Sequence, residues 1–223
     1  MTHKTVSKGN QNISFPDLKL KAGVGLSLQS LGKGITDCEV DYVASLRGKS
    51  IVVAQPDGKK NRKNLQVGDQ YTVRGFNGTS EFTFISEILQ VQKKPFLHVH
   101  LAYPDLVEIH VVRDAPRVKV SIPVVVTPSG TTKPILGMLK NLSVIGVMIE
   151  SVVRIGIEGD KINIAFSTKV DEKEVDVKIP AVIRNVHKHD ADRVFSSGLE
   201  FGNVTHHDKL ILYYLLFIHS ENT

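Results

Sequence analysis

The sequence predicts an all-β chain: two small antiparallel β-barrels in tandem, with one helix closing the second. Three observations carry this. At 223 residues the chain can bury two modest cores of about 110 residues each. Short apolar runs alternate with period two between turns rich in Gly, Pro, Asn and Ser. Only the C-terminal stretch places apolar residues at helical spacing.

In chain order, residues 1–34 are read as an N-terminal arm, for which a flexible stretch, a helix or a partner-binding segment all fit. Residues 35–47 (ITDCEVDYVASLR) fit a strand or a short helix. Strands are then read at 50–55 (SIVVAQ), 70–76 (QYTVRGF), 80–92 (SEFTFISEILQVQ) and 96–103 (FLHVHLAY), and Asn77-Gly78 between the second and third is a hairpin signal. An extended connector, PDLVEIHVVRDAPR, joins the two halves. Beyond it, strands are read at 117–127, 135–141, 146–150, 161–167, 174–186 and 194–201. Six short strands that each need a partner, with little helix to cover an edge, point to a small barrel. In the tail THHDKLILYYLLFIHSEN, Leu210, Tyr213, Tyr214 and Phe217 share a helical face and are expected to pack on the barrel.

Composition excludes several classes. With 41% hydrophobic and 23% charged residues the chain is neither disordered nor fibrous. Its longest apolar run, Leu210 to Ile218, falls far short of the roughly 20 residues of a membrane span, and MTHKTVSKGNQNISF lacks the apolar core of a signal peptide. A cytoplasmic protein is expected. Cys38, the single cysteine, makes no internal disulfide and no zinc site alone. The sequons at Asn12, Asn77, Asn141 and Asn203 matter for glycosylation only in a secreted chain. The net charge of +5 is uneven, with 14 basic against 10 acidic residues over 1–112 and 14 against 13 over 113–223. Much of the excess lies in Lys59, Lys60, Arg62 and Lys63, a solvated loop or a surface for an acidic partner.

The chemistry concentrates in the connector. Pro116 has no N–H and disfavours the α region at Ala115, so this stretch is expected to be extended. Residues four apart then point the same way, about 13 Å apart at about 3.3 Å per residue, which makes Arg113 and Arg117 two arms of a clamp. Guanidinium groups grip phosphate through a bidentate fork, match the O6/N7 edge of guanine and stack on bases. Some 24 residues after Arg117 comes NLSVIG, 141–146. Asn141 and Ser143 project from one side of it, and Gly146 permits a turn or a close approach.

Competing motifs are weaker. The glycines of KAGVGLSLQSLGKG follow no clear strand and precede no Gly-Lys-Ser/Thr. The pairs His98/His100, His187/His189 and His206/His207 have no acidic or cysteine ligand at a standard spacing, so no metal is expected. No Ser or Cys has a visible base partner, so no catalytic residue and no enzyme is read.

Arg-x-x-x-Arg at 113–117 followed by Asn-x-Ser-x-x-Gly at 141–146 resembles the two motifs of the PilZ domain, the family of cyclic di-GMP receptors. The resemblance covers about 112–223 and includes GLEF, 198–201. The first half is similar to the N-terminal domain of YcgR-type flagellar-brake proteins, through LQVGDQYTVRGFNG and PFLHVHLAYPDLVEIHVVRDAPRVKV. This implies a split-barrel-like N-terminal domain over 35–108, a connector over 109–117 and a six-stranded PilZ barrel with its helix over 112–223. It implies further that Arg113 and Arg117 hold phosphate and guanine of cyclic di-GMP, that Asn141 and Ser143 bond the other guanine and nearby phosphate oxygens, and that Gly146 leaves room for the ligand. Val112 stands where many relatives carry another arginine, implying one ligand per protomer. No cofactor is implied. The implied mechanism is a ligand-driven change in interdomain orientation, which presents a new surface to a flagellar motor or switch protein at the basal body, or to another protein target. Two alternatives remain: an adaptor acting by protein contacts without ligand, and a nucleic-acid-binding barrel. The latter is disfavoured by an aromatic content of 6%.

Overall fold

The structure, a computed structural model, describes residues 11–31, 36–55, 65–131, 133–189 and 194–220. The basic loop with Lys59, Lys60, Arg62 and Lys63 lies outside them. The chain divides into two compact units, Met1–Asp114 and Ala115–Thr223. Strands dominate both, as the sequence predicts, and the described α-helix stands at the C-terminal end.

The first unit contains β1 (Gln11–Ile13), a 3₁₀ turn (Phe15–Leu18), β2 (Gly25–Ser30), β3 (Thr36–Leu46), β4 (Ser50–Ala54), β5 (Gln70–Phe76), β6 (Ser80–Gln92), β7 (His98–Ala102) and β8 (Val107–Val111). Strands β6, β5, β2, β3, β4 and β7 form a ring that closes because β6 is long enough to serve two neighbours. Its Glu81–Glu87 stretch pairs with β5, and Ile88–Gln92 pairs with β7 past a bulge. The first residues of β6 also pair with β8, which in turn holds β1. Alternation selects the inner face: Phe82, Phe84 and Ile88 of β6 are buried together with Val73, Val99 and Leu101, while Glu81, Ile85 and Glu87 face out.

Three readings of this half change. The segment 35–47, open between strand and helix, contains the strand β3. The expected arm of 1–34 is no separate arm over 11–31. There β2 is a full member of the ring, and Phe15 is buried, with its ring 5.7 Å from Phe84 at 90° and 5.4 Å from Tyr103. Part of the extended connector is strand β8, since Val107 and Ile109 turn inward against the core.

The second unit contains β9 (Val118–Pro128), β10 (Ile135–Leu142), β11 (Gly146–Ser151), β12 (Lys161–Val170), β13 (Lys173–His189), β14 (Val194–Phe201) and α1 (His206–Ser220). The ring runs β10, β11, β14, β13, β12, β9 and closes through β9–β10 pairing. Barrel closure leaves no unpaired edge in the ring, so every strand of this small all-β domain has two partners. Thr205 starts α1: its hydroxyl accepts the Asp208 N–H (3.1 Å) and donates to the Asp208 carboxylate (2.6 Å).

The helix packs with a different face from the one expected. Ile211, Leu212 and Leu215 are buried in the barrel's core, whereas Leu210, Tyr213, Tyr214 and Phe217 face outward, Phe217 at 64% exposure. Both stripes are apolar at helical spacing, and the sequence contains nothing that ranks one above the other. Leu212→Ala should therefore cost about 2–5 kcal/mol, and Phe217→Ala should stay within about 0.5 kcal/mol. Chemical denaturation followed by circular dichroism measures both, and equal losses would mean that the helix sits otherwise.

Candidate ligand site

The register of the second barrel brings its motif residues to one end. Leu142, the last residue of β10, pairs with Val118, the first of β9, and Asn141 pairs with Lys119. Arg117 immediately precedes Val118 and so stands at the end of the ring where the turn 143–146 lies. Its side chain is exposed, with no ion pair or hydrogen bond among the described residues. Asn141 lies just past a bulge of β10. Its amide nitrogen contacts Met148 Sδ at 3.6 Å, and its oxygen has no partner among the described residues.

Ser143 and Gly146 build the turn itself. The Ser143 hydroxyl donates to Gly146 O (3.0 Å) and accepts from the N–H groups of Gly146 (3.1 Å) and Ile145 (3.4 Å), while Ser143 N–H also donates to Gly146 O (2.9 Å). Ser143 is only 2% exposed, and its hydroxyl capacity is spent inside the turn. Gly146 is required for a separate reason. A Cβ there would lie 2.3 Å from the carbonyl oxygen of Leu199 on β14, and Phe201 N–H donates to Ile145 O (2.9 Å), so the turn is clamped to that strand.

Arg113 is held within the first unit. Its guanidinium lies over the Phe76 ring, 4.8 Å from the centroid. The carbonyl of Thr79 accepts the N–H groups of both Val112 (3.0 Å) and Arg113 (2.9 Å). The chain bends at Asp114 and Ala115, so the connector is not one straight strand there. The sequence identifies the Asn77-Gly78 hairpin but does not link it to Arg113. That link depends on β8 pairing with β6, which the sequence leaves as connector.

Other candidates fall elsewhere. Arg184 donates from Nε to Glu200 at 2.7 Å; that bond and the carboxylate's charge raise its pKa above the ordinary value. His98 and His100 lie side by side, 5.8 Å between ring centroids, and His100 meets the Ser50 hydroxyl at 3.3 Å. Among the described residues no three His, Cys, Asp or Glu side chains could together hold a metal ion. No described helix is long and apolar enough to cross a membrane.

Fold and site together describe two β-barrels joined by a segment that carries two arginines, one of them beside a tight polar turn. Residues 29–104 match the family model described as flagellar protein YcgR, and residues 112–217 match that of the PilZ domain. The chain belongs to the PilZ/YcgR-like family of cyclic di-GMP receptors. Among solved structures it is similar to the Bacillus subtilis inhibitor of motility MotI/DgrA, at 17% identity over 92% of this chain and 99% of that one, with a TM-score of 0.48. It is also similar to Escherichia coli YcgR in complex with c-di-GMP, at 15% identity over 90% and 85% with a TM-score of 0.41, and to the K. pneumonia MrkH–c-di-GMP complex, at 10% identity over 94% and 95% with a TM-score of 0.42. A comparison with curated proteins gives no match.

Because the Ser143 hydroxyl is buried and saturated by the turn, Ser143→Ala should destabilise the ligand-free protein by about 1–3 kcal/mol. Gly146→Ala should cost about as much, since strand β14 must move to admit a methyl group. Thermal melts without any ligand would detect both losses; unchanged melting would remove the turn-closing role.

Proposed function

We propose that this protein is a cyclic di-GMP receptor in which Arg113, Arg117 and Asn141 contact the ligand directly, while Ser143 and Gly146 hold the turn that presents Asn141. The observation that carries this is Arg117: its main chain is held by strand register beside the Asn-x-Ser-x-x-Gly turn, and its exposed guanidinium has no partner among the described residues. A cyclic dinucleotide offers what such a site lacks, namely two phosphates for the forks and two guanines with O6/N7 edges and stacking faces. The domain boundary is drawn through the connector, with an N-terminal YcgR-type domain ahead of Arg113 and the PilZ barrel with its helix behind it. Ligand that engages residues from both sides of this boundary binds one interdomain arrangement better than others and shifts the population toward it. The output is control of a protein partner, and the match of the first half to the flagellar protein YcgR model makes flagellar motor function the first candidate. The protein acts as a receptor in the cytoplasm, recruited to the flagellar base when loaded, and not as an enzyme.

Calorimetric titration of cyclic di-GMP, with GTP and cyclic GMP as controls, tests the reading. Binding should be selective for the dinucleotide, and Arg117→Ala and Arg113→Ala should each weaken it at least tenfold, the loss of one charge-assisted contact of about 1.5–3 kcal/mol. Absence of binding by the intact protein would leave an adaptor that works by protein contacts alone. With Val112 in place of a further arginine, the stoichiometry should be one ligand per chain; two per chain would overturn the assignment of Val112. Small-angle scattering should change on ligand addition, and an unchanged profile would rule out the interdomain mechanism.

A further inference from the structure

We infer that Phe76, together with the hairpin it begins, is a positioning residue for ligand binding: it holds the Arg113 guanidinium in place with its hydrogen-bond donors free. The inference rests on the receptor reading above and adds to it a residue of the first unit that belongs to neither sequence motif.

The geometry has two anchor points. The main chain of Arg113 is fixed by its N–H bond to the Thr79 carbonyl, at 2.9 Å, and the neighbouring Val112 N–H donates to the same oxygen. The side chain is fixed by the Phe76 ring, 4.8 Å from centroid to guanidinium carbon. The hairpin that provides both is itself rigid. Asn77 Oδ1 accepts from Ser80 N–H (2.8 Å), Thr79 N–H (3.1 Å) and the Thr79 hydroxyl (3.2 Å), and Asn77 Nδ2 donates to the Leu18 carbonyl (3.2 Å). Gly78 makes the turn possible at φ +100°.

The type of contact matters. A carboxylate would also have held the guanidinium, but by consuming its N–H donors and its charge. Acidic groups are at hand, since Glu81 pairs with Phe76 across the hairpin and Asp114 follows Arg113. Arg113 nevertheless makes no ion pair or side-chain hydrogen bond among the described residues, and its partner is an aromatic face. A ring immobilises the cation through one face and leaves the planar fork and the opposite face open to a phosphate or a purine. Phe76 has no competing duty in the core: it is half-buried and belongs neither to the buried cluster of the first barrel nor to the side chains packed on it. A ligand meeting a pre-ordered Arg113 loses less conformational entropy on binding.

The test compares Phe76→Leu and Phe76→Tyr with the wild type, all as full chains with matched melting temperatures. Cyclic di-GMP affinity is measured by calorimetry, and the Arg113 side-chain resonances are followed by NMR without ligand. Leucine keeps apolar bulk without a π face, so Phe76→Leu should weaken binding about three- to tenfold and abolish the ring-current shift of the Arg113 signals. Phe76→Tyr should restore both. Binding by the wild type with Phe76→Leu equal to it, or tighter, would overturn this inference alone. No binding by the wild type would overturn the receptor reading and this inference with it.

Discussion

The pairing of β9 with β10, with Val118 opposite Leu142, is the constraint on which the candidate site depends. It closes the second ring, and a closed ring fixes the level of every strand end relative to its neighbours. A slip of one residue would turn Val118, Val120, Val124 and Val126 outward and bring Lys119 and Ser121 inward, so the core enforces the register. Arg117 therefore has no choice of position along the barrel axis. The same turn is locked from the other side, where Gly146 leaves no space between β11 and the Leu199 carbonyl and Phe201 donates to Ile145. Hydrophobic packing far from the site thus places both a guanidinium and an amide at one rim.

Much of this was legible in the residues, for reasons that differ by element. The strands at 70–76, 80–92 and 194–201 coincide with those observed because alternation and bounding turn residues agree there. β12 and β13 run longer than their patterns because Asp171 and Glu172, both at positive φ, join them in a two-residue turn without the glycine that usually marks one. β1, β2 and β8 are not read as strands from the sequence: β1 and β2 fall in the N-terminal arm and β8 in the connector. Val107 and Ile109 carry the signal, yet only pairing with β6 and β1 makes it a strand. The face of α1 was not legible at all, since two apolar stripes compete and the barrel's shape, which selects Ile211, Leu212 and Leu215, is a tertiary property. The connector's bend at Asp114 and Ala115 has no marker in the sequence pattern either.

The two arginines are held in contrasting ways. Arg113 is ordered by an aromatic ring and a backbone carbonyl, whereas Arg117 is positioned only by the strand it precedes and keeps its side-chain freedom. An ordered guanidinium keeps its fork aimed in one direction, whereas a mobile one reaches further at a cost in rotamer entropy when it is held.

The residues of the motifs also divide by what the fold itself requires. Ser143 closes a buried turn and Gly146 fits beneath a strand, so a barrel of this shape would need both even with no ligand to bind. Asn141 and the two arginines have no comparable duty: the amide oxygen of Asn141 has no partner among the described residues, Arg117 is solvated, and Arg113 touches a ring that the core does not use. Keeping Arg117 exposed beside a structural turn, and Arg113 on an aromatic face, brings the fold little pairing energy. The fold thus accounts for Ser143 and Gly146 by their structural duties, and leaves the side chains of Arg113 and Arg117 without an ion pair or hydrogen bond among the described residues.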